Sequence, residues 1–213
     1  MQFVDLSHTI EASMPCYPGT PGPTFHSLAS IEGDGFAEQL MTISSHTGTH
    51  VDLPSHILPA GRSLDAFSVE RFAGKGVAID LRFLTGGVIT VEALYPFRDR
   101  IRECEFLLLC SGWSRYWGFP DYYAGYPVLS FEAARWLTGF SLKGVGVDMI
   151  SVDAPESTDF FVHKLLLQKE ILIIENLVCP PLLLHSPFIF YGFPLKLVGA
   201  EASPVRAVAL LDG

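Results

Sequence analysis

The 213-residue chain is 49% hydrophobic and only 17% charged, with a formal net charge of −9; soluble domains average roughly 25% charged residues. That length fits a single domain over residues 1–213, or one domain with an arm that packs on a neighbour, and the apolar excess predicts a large core plus a buried subunit interface. The acidic balance, with no lysine- or arginine-rich run, argues against nucleic acid and anionic membrane surfaces as partners and favours a small molecule.

The first residues, MQFVDLSHTIEASMP, carry acids early and lack a basic region followed by an apolar core, so no signal peptide is expected. Phe3 to Leu6 reads as extended chain, and the segment from Met14 to Pro23, with four prolines and two glycines, reads as turns. Short apolar runs at Gly76 to Leu81, Glu105 to Cys110, Gly144 to Val147 and Ile171 to Ile174 predict buried strands, being too brief for free-standing helices. Helices are predicted where Thr90 caps Val91 to Leu94, Ser130 caps Phe131 to Leu137, and Asp159 caps Phe160 to Lys169. Strands alternating with helices after a mostly β first third predict an α/β domain with a mixed β-sheet core flanked by helices.

The apolar tract from Ile171 to Leu197 is broken by Glu175, Asn176, Pro180, Pro181 and His185, so it falls short of the roughly 20 apolar residues of a membrane span. Cys16, Cys104, Cys110 and Cys179 have neither zinc-finger spacing nor the density of a disulfide scaffold. Free, mostly buried thiols and a cytoplasmic protein are the expectation.

The stretch HTGTHVDLPSH, residues 46–56, gathers three of the seven histidines and an aspartate. Imidazole and carboxylate bind borderline divalent metals, so His46, His50 and Asp52 are candidate ligands; the alternative is a polar loop of neighbour-bonded histidines. Gly48 between β-branched threonines makes a poor helix. A straight strand would separate His46 from His50 by roughly 13 Å, too far to share an ion. A metal site therefore requires a bend, which Gly48 permits, and Pro54 redirects the chain towards His56. Further ligands must come from elsewhere. His163, on a mostly apolar predicted helix, and Glu175, ending a core strand, are the candidates; each has an equally ordinary reading as a core-edge histidine and an acid emerging into water.

HTGTHVDLPSH resembles the HxGTHxDxPxH signature of the metal-dependent cyclase/hydrolase family, which includes bacterial kynurenine formamidases and isatin hydrolases. The resemblance runs from Asp5-Leu6-Ser7-His8 through the turn at Tyr17-Pro18-Gly19, the segments Gly146-Val147-Asp148 and Ser151-Val152-Asp153, and the pair His163 and Glu175, to the tail GAEASPVR, residues 199–206. It implies a swivelling β/β/α domain assembled as a homodimer or larger homo-oligomer. It also implies that His46, His50 and Asp52 bind a first ion, that Asp52 bridges to a second held by His163, and that Glu175 bridges or completes the pair. His56 would be the catalytic acid/base.

A bound divalent cation brings the pKa of its water towards neutrality and polarises a carbonyl. The ligand types suit zinc, manganese or iron without choosing among them; resemblance to the formamidases implies zinc first, and to the isatin hydrolases manganese, with one or two ions per subunit. The implied reaction is hydrolysis of a small aryl formamide, of the N-formylkynurenine type, or of a cyclic amide. Tyr17 stands where formamidases of this family usually present a tryptophan, which keeps an isatin hydrolase-like, lactam or lactone hydrolase, or cyclase reading open. Phe25, Phe36 and the aromatics from Trp113 to Trp117 are further candidates for a substrate wall. Asp148, Ser151 and Asp153 read equally well as a polar patch at the site or as a self-satisfied turn. A non-catalytic metal- or ligand-binding module is the reading from another class, and His56 argues against it. No GxSxG elbow occurs, and Ser7 and His8, adjacent on extended chain, point to opposite faces. His8, His26 and His185 are assigned structural roles.

Overall fold

The computed structural model describes residues 1–84 and 87–211. In chain order its strands are β1 (Gln2–Asp5), β2 (Thr24–Ala29), β3 (Glu38–Thr42), β4 (His50–Asp52), β5 (Ala73–Asp80), β6 (Val88–Ile89), β7 (Phe106–Cys110), β8 (Val128–Leu129), β9 (Gly144–Val147), β10 (Leu172–Glu175), β11 (Phe188–Pro194) and β12 (Ala202–Leu211). The helices are α1 (Ile31–Asp34), α2 (Val91–Leu94), α3 (Arg98–Arg102), α4 (Phe131–Leu137) and α5 (Phe161–Gln168). The four predicted buried strands are β5, β7, β9 and β10.

Eight strands form one mixed sheet in the order β1-β12-β11-β5-β7-β9-β10-β4, and β4 also pairs with β12, closing the sheet on itself. The parallel run β5-β7-β9-β10 is buried on both faces, which explains why its sequences are continuously apolar instead of alternating. Odd-numbered residues such as Val77, Leu107, Val145 and Ile173 pack outward beneath α4 and α5 with Leu137, Val162 and Leu166. Ala78, Phe106, Leu108 and Ile174 turn inward to meet Val51, Phe190 and Ala207 across the closed ring. Gly146 lets β9 approach its neighbours, because a Cβ there would lie 2.5 Å from the side chains of Leu108 and Leu177.

Thr90 and Ser130 cap their helices as expected, accepting from the backbone of Ala93 and Ala133. Asp159 does not cap α5, which starts at Phe161 after Phe160 in a left-handed conformation. Asp153 replaces it, one carboxylate oxygen accepting from the Val162 N–H at 3.0 Å and the other from the His163 N–H at 3.1 Å. All four cysteines are free; Cys104 and Cys110 are buried, whereas Cys16 and Cys179 are only partly so. Among the described residues, strands β2 and β3 pair only with each other and form an exposed arm that displays Leu28, Phe36, Leu40 and Met41. Among the described residues no helix is long and apolar enough to cross a membrane.

Candidate metal centre

The bend expected in HTGTHVDLPSH occurs at Gly48, whose φ is +62°, a value open to glycine without a Cβ penalty. The chain then enters β4. Val51 points into the ring, so its neighbours His50 and Asp52 face the opposite way, towards α5. Antiparallel pairing of β4 with β10 sets Glu175 directly beside His50 and so on the same face. Pro54 opens a single tight turn through His56, returning the His56 ring to within 4.3 Å of the His46 ring and 5.8 Å of the His163 ring, centroid to centroid. His163 arrives from α5 as one of its buried residues.

The five predicted ligands therefore meet in one place. Asp52 Oδ1 lies 3.0 Å from His46 Nδ1 and 3.4 Å from His50 Nε2, while Oδ2 lies 3.7 Å from His163 Nε2. Glu175 faces the same two imidazoles from the other side, 3.5 Å from His50 Nε2 and 3.5 Å from His163 Nε2. Atoms that each sit about 2.0–2.2 Å from a common ion are separated by roughly 3.0–3.5 Å, so these spacings suit divalent coordination. His50 Nε2 and both Asp52 oxygens are buried and have no hydrogen-bond partner, an arrangement that costs free energy unless another group engages them. Asp52 belongs to two sets whose ligand atoms lie within 4.8 Å of one another, one with His46 and His56, the other with His50 and Glu175. The donor set fits a divalent cation.

Partners outside the cluster aim the imidazoles inward. His50 Nδ1 is 2.8 Å from the Gly48 carbonyl, and His163 Nδ1 is 2.7 Å from Asp153 Oδ2. Each bond places a proton on Nδ1 and makes Nε2 the nitrogen turned to the carboxylates, where it can carry a proton or, once deprotonated, ligate a cation. His46 is turned the other way. Its Nδ1 faces Asp52, and its Nε2 is 3.5 Å from Glu201, whose carboxylate accepts from the Ser45 hydroxyl at 2.6 Å.

Burial alone would lower His50, but the Asp52 and Glu175 carboxylates carry it up to about 9. His163 is likewise raised against burial, chiefly by Asp153 and then by Asp52 and Glu175. Asp52, which burial would raise, is held well below the ordinary carboxylate value, foremost by the charge on His50. Burial lowers His56 below its ordinary value; Asp52 opposes this, and His46 and His163 reinforce it. His56 is thus biased towards a neutral imidazole, the form that accepts a proton.

The cluster forms one wall of a cavity of about 280 Å³, whose other walls include Pro15, Tyr17, Ile57, Ile150, Ser151 and Phe160. Tyr17 is thus at the cavity, as expected. Phe25 and Phe36 are on the arm instead, and Trp113, Tyr116 and Trp117 pack against the outer core. Asp148 lies to one side, its Oδ1 accepting the Ser111 N–H and hydroxyl. His8 stacks on Trp117, outside the cluster, and burial pushes it down to about 4. Sequence reasoning missed Ile57, Ile150, Phe160 and Asn176 as cavity residues. It also left Asp153 undecided. Only a contact across the fold shows that Asp153 serves His163.

The model of a family described as a putative cyclase matches residues 4–154. The chain belongs to this cyclase family. An uncharacterized protein of Methanocaldococcus jannaschii is 33% identical over 99% of this chain and 100% of its own length. The kynurenine formamidase of Salinibacter ruber is 29% identical over 98% of this chain and 97% of its own. Isatin hydrolase A from Labrenzia aggregata, 24% identical, superposes with a TM-score of 0.87 over 98% of this chain and 93% of that one, so this cyclase-family chain shares its fold.

Proposed function

We propose that the chain is a metal-dependent amidohydrolase, cleaving the C–N bond of a small aryl formamide or cyclic amide. The observation that carries this reading is the convergence of unpartnered, buried His50 Nε2 and Asp52 oxygens on one point of an otherwise largely apolar cavity. Kinship with kynurenine formamidases supports it. His46, His50 and Asp52 would hold one ion, and Asp52, His163 and Glu175 a second. Zinc is the first candidate, and manganese or iron suits the same ligands. A cation bound there would activate water and polarise the scissile carbonyl.

The chain's own residues do the rest. His56 takes the proton of the attacking water on an imidazole nitrogen and returns it to the leaving nitrogen as the C–N bond breaks, releasing formate and an arylamine from a formamide, or opening the ring of a cyclic amide to a carboxylate and an amine on one molecule. Tyr17, Pro15, Ile57, Ile150 and Phe160 offer an apolar slot for a flat ring. N-formylkynurenine is the leading substrate type. A cyclic amide of the isatin kind is the second reading, favoured because the cavity wall carries no lysine or arginine among the described residues to hold a substrate carboxylate. The reading includes a homodimer, supported by the unpaired apolar arm.

Elemental analysis of the purified protein, paired with hydrolysis of N-formylkynurenine and isatin before and after chelation, tests the proposal. Bound metal with chelator-sensitive turnover is expected, and failure to bind metal even after reconstitution refutes it. His56→Ala should keep its metal while hydrolysis falls by about 10²–10⁴-fold. Loss of metal in that variant would make His56 a ligand.

A further inference from the structure

Glu175 ends β10, and the next residue leaves extended backbone abruptly: Asn176 is buried with a φ of +58°. A non-glycine residue held in that region signals a constraint imposed by its surroundings. All four polar groups of Asn176 are engaged. Its N–H donates to the Met149 carbonyl at 3.0 Å, and its own carbonyl accepts the Thr49 hydroxyl at 2.6 Å. The side-chain Nδ2 donates to the Gly48 carbonyl at 2.9 Å, and Oδ1 accepts the Tyr122 hydroxyl at 2.7 Å.

The Gly48 carbonyl is the same oxygen that receives His50 Nδ1. A carbonyl can only accept, so the amide must present Nδ2 to it. Oδ1 then faces Tyr122, whose hydroxyl must donate. Tyr122 is fully buried, with its hydroxyl on Asn176 Oδ1. Gly48 needs such a restraint, because glycine lets the peptide planes on either side of it rotate more freely than any other residue does.

We propose that Asn176 and Tyr122 are positioning residues of the metal centre. Tyr122 orients the Asn176 amide, the amide pins the Gly48 carbonyl, and that carbonyl holds His50 with its Nδ1 proton outward and its Nε2 lone pair on the ion. This inference rests on the metal-centre reading above. It adds two links behind His50 and the Gly48 carbonyl: the Asn176 amide just after β10, and Tyr122 from the 3-10 turn Pro120–Tyr123, both far from HTGTHVDLPSH in sequence.

The test is zinc affinity, measured by chelator competition on the full chain, for wild type, Tyr122→Phe, Asn176→Gly and the double variant. Glycine accepts the positive φ and keeps both backbone bonds, so Asn176→Gly deletes the side chain alone. Ser130→Ala, which removes a helix cap away from the centre, is the control for lost stability. We expect Asn176→Gly to weaken zinc binding by about 10-fold, the lower end of the range for partners bonded directly to metal ligands, because the amide acts one bond further back. Tyr122→Phe should weaken it less, the double variant should be no worse than Asn176→Gly, and Ser130→Ala should bind as wild type. Unchanged affinity in Tyr122→Phe and Asn176→Gly, or losses matched by Ser130→Ala, overturns the positioning role. If Asn176→Gly fails to fold, Tyr122→Phe against Ser130→Ala decides the matter. A wild-type protein that binds neither zinc nor manganese overturns the metal-centre reading itself, a result distinct from normal binding by the variants.

Discussion

Asp52 and Asp148 are both fully buried aspartates at the ends of core strands, yet their surroundings push them in opposite directions. Asp52 looks onto three imidazoles, and the charge on His50 holds its carboxyl ionised against the cost of burial. Asp148 instead receives hydrogen bonds from neutral groups, foremost the N–H and hydroxyl of Ser111 on its Oδ1. Burial therefore dominates and raises it. Depth in the protein does not decide whether an acid is charged; what faces it does. Asp153 lies between these cases, because burial would raise it but His163 and two backbone N–H groups draw it below the usual value.

Amide substitution at each of the three acids breaks this comparison in a different way. The largest effect is expected at Asp52→Asn, which removes the carboxylate shared by both ligand sets; elemental analysis should find the metal gone and hydrolysis should fall to background. Retention of a full metal complement would sink the bridging role. Next comes Asp153→Asn, which keeps the size of the side chain but weakens its hold on His163 Nδ1. Zinc affinity should drop by about 10–100-fold, and titration against a chelator reads this directly.

The smallest effect is expected at Asp148→Asn, and it should appear only as a change in the pH dependence of stability. A carboxyl whose folded-state pKa is raised binds its proton more tightly in the native state than in the unfolded chain. Its stabilising contribution is present at acid pH and fades as pH rises from the ordinary value of 3.8 through the raised one. Urea unfolding across that window should show the variant gaining on wild type as pH rises, with metal affinity unchanged. A stability difference that is flat with pH would mean that Asp148 is not raised in the fold.

The sequence by itself determined the mixed α/β class, the four apolar core strands and two of three helix caps, because these follow from local hydrophobic runs and from side chains that reach only a few residues. It also determined that His46, His50 and Asp52 could meet only around a bend, since strand geometry forbids the straight alternative and Gly48 was the one residue able to turn. What it left open was settled by register. His163 and Glu175, each with an ordinary alternative as a single residue, reach the cluster because β10 lies antiparallel to β4 and α5 packs on the same face. The cap of α5 passed from Asp159 to Asp153 for the same reason: an N-terminal N–H donates to whichever carboxylate the fold brings near, not the one nearest in sequence. Tyr122 carries no local signal at all, and Asn176 and Glu201 stand in segments the sequence singled out without any sign of what they touch. Their roles exist only as contacts across the closed sheet, and those depend on side-chain directions that only the packed tertiary structure fixes.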